Sequence, residues 1–336
     1  MRVISTRVDD FIAEQVEKLG KPADVLRRAI LLYTSNKLGI CEDLALTQQK
    51  IMMFRDIFAE AVEVYRRFRG AYSELYSMLT VRPFDPERFA ELLQTIDMHG
   101  DELSKYLEVI TEFLGIMRTE KEPYREFDSV LDMRIQALND VLDEYRRAKA
   151  VGVTMRIPQL DIFSNLPLEV RKKIVDETLR KSIKLRFDMF SSIDTGTALE
   201  FIQYIERLNE SPLRIIGQIC NGERNEFNLP MKVCSVYDSI IIKKLPDYLT
   251  EITDIVVRYG VDRKEATRVL MSIILANDNV YNDLELSKVA LGLVAFNRLN
   301  DRMASIFDLS ASRPEALYLT SLLVELERAR KKVCVQ

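Results

Sequence analysis

A mainly α-helical protein is predicted, with two brief strand-like runs. Three observations carry this. Between residues 44 and 150 apolar side chains recur at alternating spacings of three and four, the period of one helix face. Proline-containing breaks cut this pattern into long segments with short connections. Only Arg2 to Val8 and Ile240 to Leu245 suit a strand.

The 336 residues are 47% apolar with a net charge of −4, enough for a sizeable core and two or three domains. An acidic total excludes a protein that meets nucleic acid over its whole surface, so any such contact must be local. The first forty residues run the other way, with seven Lys/Arg against five Asp/Glu.

Those forty residues open the argument. Ile4, Thr6 and Val8 fall on one side of an extended run, and Val3, Ser5 and Arg7 on the other. Asp9 and Asp10 end the run and place acidic charge at a helix start. Ile12, Val16 and Leu19 space that helix, and Gly20 closes it. Pro22 and Asp24 open a second helix with Val25, Leu26, Ala29, Ile30, Leu32 and Tyr33 on its apolar stripe. The same residues also suit a small helical cap.

On Ile4 to Asp10, Leu19-Gly20 and Asp24 to Ile30, the segment resembles the ribbon-helix-helix family of DNA-binding proteins. The resemblance covers about 40 of the 336 residues. It implies a two-stranded ribbon, formed with a second unit, in the DNA major groove. By the resemblance Val3, Ser5 and Arg7 face the bases, with Arg7 suited to guanine. Lys21, Pro22 and Ala23 lie where helix-start amides would hold a phosphate. Arg2, Arg27 and Arg28 complete the DNA-facing set. Thr6 stands where the family has a larger apolar residue, and Val3 where it has a polar reader.

From Leu44 to Leu79 one helix is predicted, its seam running through Ile51, Phe54, Phe58, Ala61, Tyr65, Phe68, Tyr72 and Leu75. The seam is rich in aromatics, which suits a broad bundle better than a narrow two-stranded coiled coil. Arg82 to Pro86 breaks it. A second helix follows through Phe89, Leu92, Ile96, His99, Leu103, Tyr106 and Ile110, with a bend expected at Gly100. A third runs from about Tyr124 to Ala150. Short connections make these an antiparallel bundle, each helix roughly 40–50 Å long at 1.5 Å per residue.

Val151 to Asn165 reads as a linker. Leu168 to Phe190 is the most basic helix, with Arg171, Lys172, Lys173, Arg180, Lys181, Lys184 and Arg186. It suits a solvated helix face or a second phosphate-contacting surface. Shorter helices are expected at 197–208 and 212–219, then a polar loop from Asn221 to Pro230.

Ser239 to Ile274 repeats the opening order: a strand at Ile240 to Leu245, a helix from Pro246-Asp247, Gly260, then a second helix capped by Asp262. As a second ribbon-helix-helix copy it places Lys244 where Arg7 stands, Ile242 at Ser5 and Lys243 at Thr6. Lys243, Lys244, Arg263 and Lys264 are its candidate DNA contacts. Further helices follow at 283–299 and after Arg313.

The chain thus divides into a ribbon-helix-helix unit (1–40), a three-helix bundle (43–150), a helical region with a linker (151–237), a second such unit (238–278) and C-terminal helices (279–336). No nucleotide-loop, zinc-protease or nucleophile-elbow motif occurs. His99 is the lone histidine, placed in a helix seam and read as a packing residue. Cys41, Cys220, Cys234 and Cys334 are dispersed without a CxxC pair, against zinc and against a disulfide scaffold. No run of 18 apolar residues and no signal-peptide pattern is present, so a cytoplasmic protein away from membranes is expected. No enzyme activity and no cofactor is expected. The expected function is a dimeric DNA-binding transcriptional regulator acting on double-stranded DNA. The alternatives are an oligomeric scaffold, or an antitoxin- or partition-type regulator with a protein partner.

Overall fold

The three-and-four spacing of apolar residues does produce helices, as a computed structural model of the chain shows. It describes residues 44–81, 83–119, 128–151, 163–208, 210–275 and 283–307, with the single positions Val25 and Met155. The helices are α1 (Leu44–Thr80), α2 (Pro86–Thr119), α3 (Asp128–Ala150), α4 (Leu168–Phe190), α5 (Thr195–Leu208), α6 (Pro212–Cys220), α7 (Met231–Ser239), α8 (Leu245–Val257), α9 (Arg263–Ile274) and α10 (Asp283–Phe307). Among the described residues there is no β-strand. The first ribbon, its two helices and the last predicted helix lie outside the described residues.

Contacts divide the chain into two units, one of Met1–Ala59, Val109–Gln136 and Leu319–Gln336, the other of Glu60–Glu108 and Ala137–Tyr318. In the first, Phe54 meets Phe113 at 5.5 Å between ring centres. There too Arg118 Nε lies 2.7 Å from Asp132 Oδ1.

In the second unit α1 and α2 run antiparallel. Arg88 binds Glu74 near their connection, and Arg67 binds Glu102 further along. Tyr106 donates to Glu60 at 2.7 Å further still. Asp85 caps α2, accepting from the amides of Glu87 and Arg88 at 3.0 and 3.2 Å. The end of α3 returns along α2, where Lys149 pairs with Asp97 and Asp101 and Tyr145 donates to Asp101. Burial, then the Asp101 carboxylate, push the Tyr145 phenol well above its usual range.

The α-helix continues through Gly100 without a break. An added Cβ there would stand 2.7 Å from the Tyr145 ring. The missing side chain therefore lets Tyr145 lie on the helix backbone. His99 beside it is 8% exposed, with Nδ1 3.5 Å from Glu102 Oε2.

Helix α10, expected over 283–299, takes a central place in this bundle that its local sequence does not reveal. Its residues from Val289 to Phe296 are buried on every side of the helix, the mark of a central helix. One side packs antiparallel on α1: Tyr65 stacks on Phe307 at 5.3 Å and Phe68 meets Phe296 edge-on at 6.3 Å. Tyr72 donates to Asn297 Oδ1 at 2.8 Å. Other sides pack on α4, α5 and α6.

The helices around α10 meet at one buried ion pair. Arg186 on α4 is 0% exposed. Its Nε and Nη2 donate to Asp283 Oδ1 at 3.0 and 2.8 Å. Its Nη1 donates to the carbonyls of Ser182 and Ile274, both at 3.0 Å. Ile274 ends α9, so this bond satisfies a carbonyl with no partner inside its own helix. Asp283 Oδ2 accepts from Ser211 Oγ and from the amide of Leu213 at 3.2 Å, which ties on the start of α6.

The second predicted ribbon-helix-helix copy is corrected here. Ile240 to Lys244 form one π-helical turn joining α7 to α8. In a strand Ile240 and Ile242 would share a face. Here Ile240 is 1% exposed and Ile242 71%, the rotation of a helix. The wide turn has a cause in the next residues. Pro246 offers no N–H, and in an α-helix its ring would press on the carbonyl four residues back. The amide of Leu245 instead reaches back five residues to Ile240 O, and the extra residue makes room for the ring. A β-branched run favours strands only when a sheet is there to receive it. The remainder of that stretch folds as predicted: Gly260 has φ +86°, and Asp262 caps α9 by accepting from the amides of Lys264 and Glu265, both at 3.0 Å.

The cysteine expectation is corrected as well. Cys220 and Cys234 form a disulfide with Cα atoms 5.3 Å apart. It closes the polar loop between α6 and α7, whose Phe227 packs on Phe201 and Tyr204, each 5.4 Å away between ring centres.

Two outcomes test this packing. Asp283→Ala leaves the Arg186 guanidinium buried without its counter-charge, and urea denaturation should show a loss of about 3–5 kcal/mol. Gly100→Ala should cost about 1–3 kcal/mol by overpacking against Tyr145. In a Tyr145→Ala background the same change should become neutral or stabilise by up to about 1 kcal/mol, because only the helix preference of alanine remains.

Candidate interaction cleft

The first half of α4 and the turn between α1 and α2 enclose an open cleft of about 630 Å³. Val81, Pro83 and Phe84 form one wall. Glu169, Lys172, Lys173, Asp176, Glu177 and Arg180 form the other. These six charges recur three and four apart, so they share one side of α4. The opposite side carries Ile174, Thr178, Leu179, Ser182 and Ile183 into the core.

Three cations and three carboxylates share that wall. Arg180 donates from Nε and Nη2 to Glu177 Oε2 at 3.0 and 2.6 Å. Lys172 and Lys173 are exposed. Asp176 is partly buried, and its carboxyl is raised from an ordinary 3.8 to about 6. Burial is the main cause, and Lys172 opposes it. Asp85, Glu177 and Glu87 add to the rise as like charges.

The basic positions of α4 thus divide: Lys172 and Lys173 are exposed, and others are engaged with carboxylates. Arg186 lies in the core ion pair. Lys181 donates to Glu251 at 2.5 Å and sits 4.2 Å from the centre of the Tyr248 ring. Lys184 pairs with Asp188, which also takes Lys244 at 2.6 Å. The carboxylates set among the cations do not show in a count of basic positions alone. Their signal was present as opposite charges at helical spacing.

The second-copy candidates lie on two elements, the π turn and the start of α9. Lys243 is exposed on the π turn and Lys244 is held by Asp188. Arg263 pairs with Asp254 at 2.6 Å. Lys264 offers its amide to the Asp262 cap. Arg2, Val3, Ser5, Arg7, Lys21, Pro22, Ala23, Arg27 and Arg28 lie outside the described residues. Among the described residues no three His, Cys, Asp or Glu side chains are grouped to hold a metal ion. No described helix is long and apolar enough to cross a membrane.

Comparison of the chain with protein-family models, curated proteins and solved structures gives no match. The resemblance to ribbon-helix-helix proteins is therefore overturned. No family model matches, and the strand that its second copy required is a helical turn.

The Asp176 shift predicts a pH dependence. The folded chain keeps this proton up to about pH 6, while the unfolded chain releases it near 3.8. The folded state therefore binds more protons between these values, and this group's contribution to stability falls as pH rises through the window. Carboxyl carbon NMR should give Asp176 a midpoint near 6. Asp176→Asn should flatten the loss of thermal stability between about pH 4 and 6. A midpoint near 4 would show that the carboxylate is fully hydrated in the cleft.

Proposed function

We propose that this chain is an oligomeric interaction protein that works through the side-chain chemistry of its helix faces. The observation that carries the reading is the cleft, where three cations, three carboxylates and an apolar wall lie together. A phosphate-binding surface is built from one sign of charge and answers to salt through the counterions it releases. A surface of mixed sign beside apolar side chains suits another protein surface. The way α4 lodges Arg186, Lys181 and Lys184 against carboxylates and an aromatic ring supports the same reading.

A DNA-binding regulator, including an antitoxin or partition type, is the competing reading. Its support is the cationic excess of the first forty residues. Light scattering coupled to size exclusion, paired with DNA anisotropy over a salt series, separates the two. The interaction reading expects self-association that rises with protein concentration, and weak DNA binding unaffected by Arg7→Ala. A monomer at every concentration that binds DNA tightly, with steep salt dependence and a loss on Arg7→Ala, would replace it.

A further inference from the structure

This inference rests on the interaction reading and assigns the surface used. The charges along the cleft side of α4 follow an order in which sign is reversed about the midpoint between Ile174 and Val175. Reading outward from that midpoint, Lys173 mirrors Asp176, Lys172 mirrors Glu177 and Glu169 mirrors Arg180. All six side chains line the same cleft. We propose that α4 pairs antiparallel with α4 of a second copy, about a two-fold axis through this midpoint.

The geometry of a two-fold axis gives the reason. In an isologous contact each residue meets its mirror position on the other copy. Glu169 then faces Arg180 of the partner subunit, Lys172 faces Glu177 of the partner subunit, and Lys173 faces Asp176 of the partner subunit. Each contact occurs twice, so every one of the twelve charges meets its opposite. Sliding the pair by three or four residues, the next positions at which the same sides face, puts Lys173 against Arg180 or Glu169 against Asp176 or Glu177. The stripe thus selects one register and opposes its neighbours. Parallel pairing would set like on like throughout. Exposed apolar side chains flank the stripe. Val81 on the facing wall is 83% exposed and Leu168, one residue before Glu169, is 70% exposed. A second copy would cover both, and the charges would set orientation while apolar burial holds the pair.

The test is charge reversal in the full chain, read by sedimentation velocity across a concentration series. K172E/K173E turns four attractive contacts into repulsive ones. The dimer dissociation constant should rise about tenfold or more. D176K/E177K should weaken self-association in the same way. Mixing the two variants restores opposite charge at these contacts, so heterodimers should form at close to the intact affinity. The quadruple variant, with both pairs exchanged, should dimerise alone. Added salt should weaken the intact dimer. Lys172 and Lys173 are exposed, so K172E/K173E keeps the fold, checked by circular dichroism, and decides the matter even where D176K/E177K does not fold. An intact dimer unchanged by K172E/K173E overturns the α4 interface and leaves the interaction reading standing. An intact chain that stays monomeric at every concentration overturns both.

Discussion

A guanidinium with no access to water must find every partner inside the protein, and the fold around α10 follows from that constraint. Arg186 finds a carboxylate and two carbonyls. Two of these partners come with a helix terminus attached: Asp283 opens α10, and Ile274 closes α9. Asp283 in turn accepts from Ser211 and Leu213 where α6 begins. Helix ends carry unpaired amides and carbonyls that are costly to bury. One ion pair brings three such ends onto α4 and satisfies part of each. An acidic side chain at the N-terminus of α10 also suits the helix dipole. A buried pair of this kind adds little net attraction over an apolar replacement, but it is strongly selective about arrangement.

Backbone requirements shape the rest. Pro246 would break a helix running from Met231 to Val257, and the π turn before it lets the chain remain helical. Two glycines serve tyrosines. Tyr145 lies on α2 at Gly100, and the Tyr237 hydroxyl lies 2.8 Å from the position of a Cβ at Gly217. In both places a backbone without a side chain lets an aromatic ring approach, and close packing of rings onto helices contributes through many small contacts. The Cys220–Cys234 disulfide secures the loop beside the second of these.

Charge on α4 is divided by depth. Toward its C-terminal half the cations are drawn into fixed partnerships: Arg186 in the core, Lys181 on Glu251 and Tyr248, Lys184 on Asp188. Toward its N-terminus the cations and carboxylates face an open cleft, and one carboxylate, Asp176, sits where burial disfavours its charge. A helix that looks uniformly basic in composition is therefore two surfaces, one held in fixed ion pairs and one facing an open cleft.

Local signals in the sequence determined the helices. Apolar spacing placed α1 and α2 closely, and caps such as Asp262 and the positive-φ Gly260 were readable because a helix terminus is satisfied by residues within a few positions of it. The stripe Glu169 to Arg180 was equally readable, since its spacing is a property of one helix. Tertiary structure alone decided the pairings across long separations. Arg186 and Asp283 stand 97 positions apart. α10 reads as an ordinary amphipathic helix until α1 and α4 close around it. Ile240 to Lys244 have the composition of a strand, yet a strand needs a partner for its backbone groups, whereas a helix satisfies its own. In this fold burial of Ile240 and the pull of Asp188 on Lys244 accompany the helical turn, and the sheet that would have received the strand is absent among the described residues.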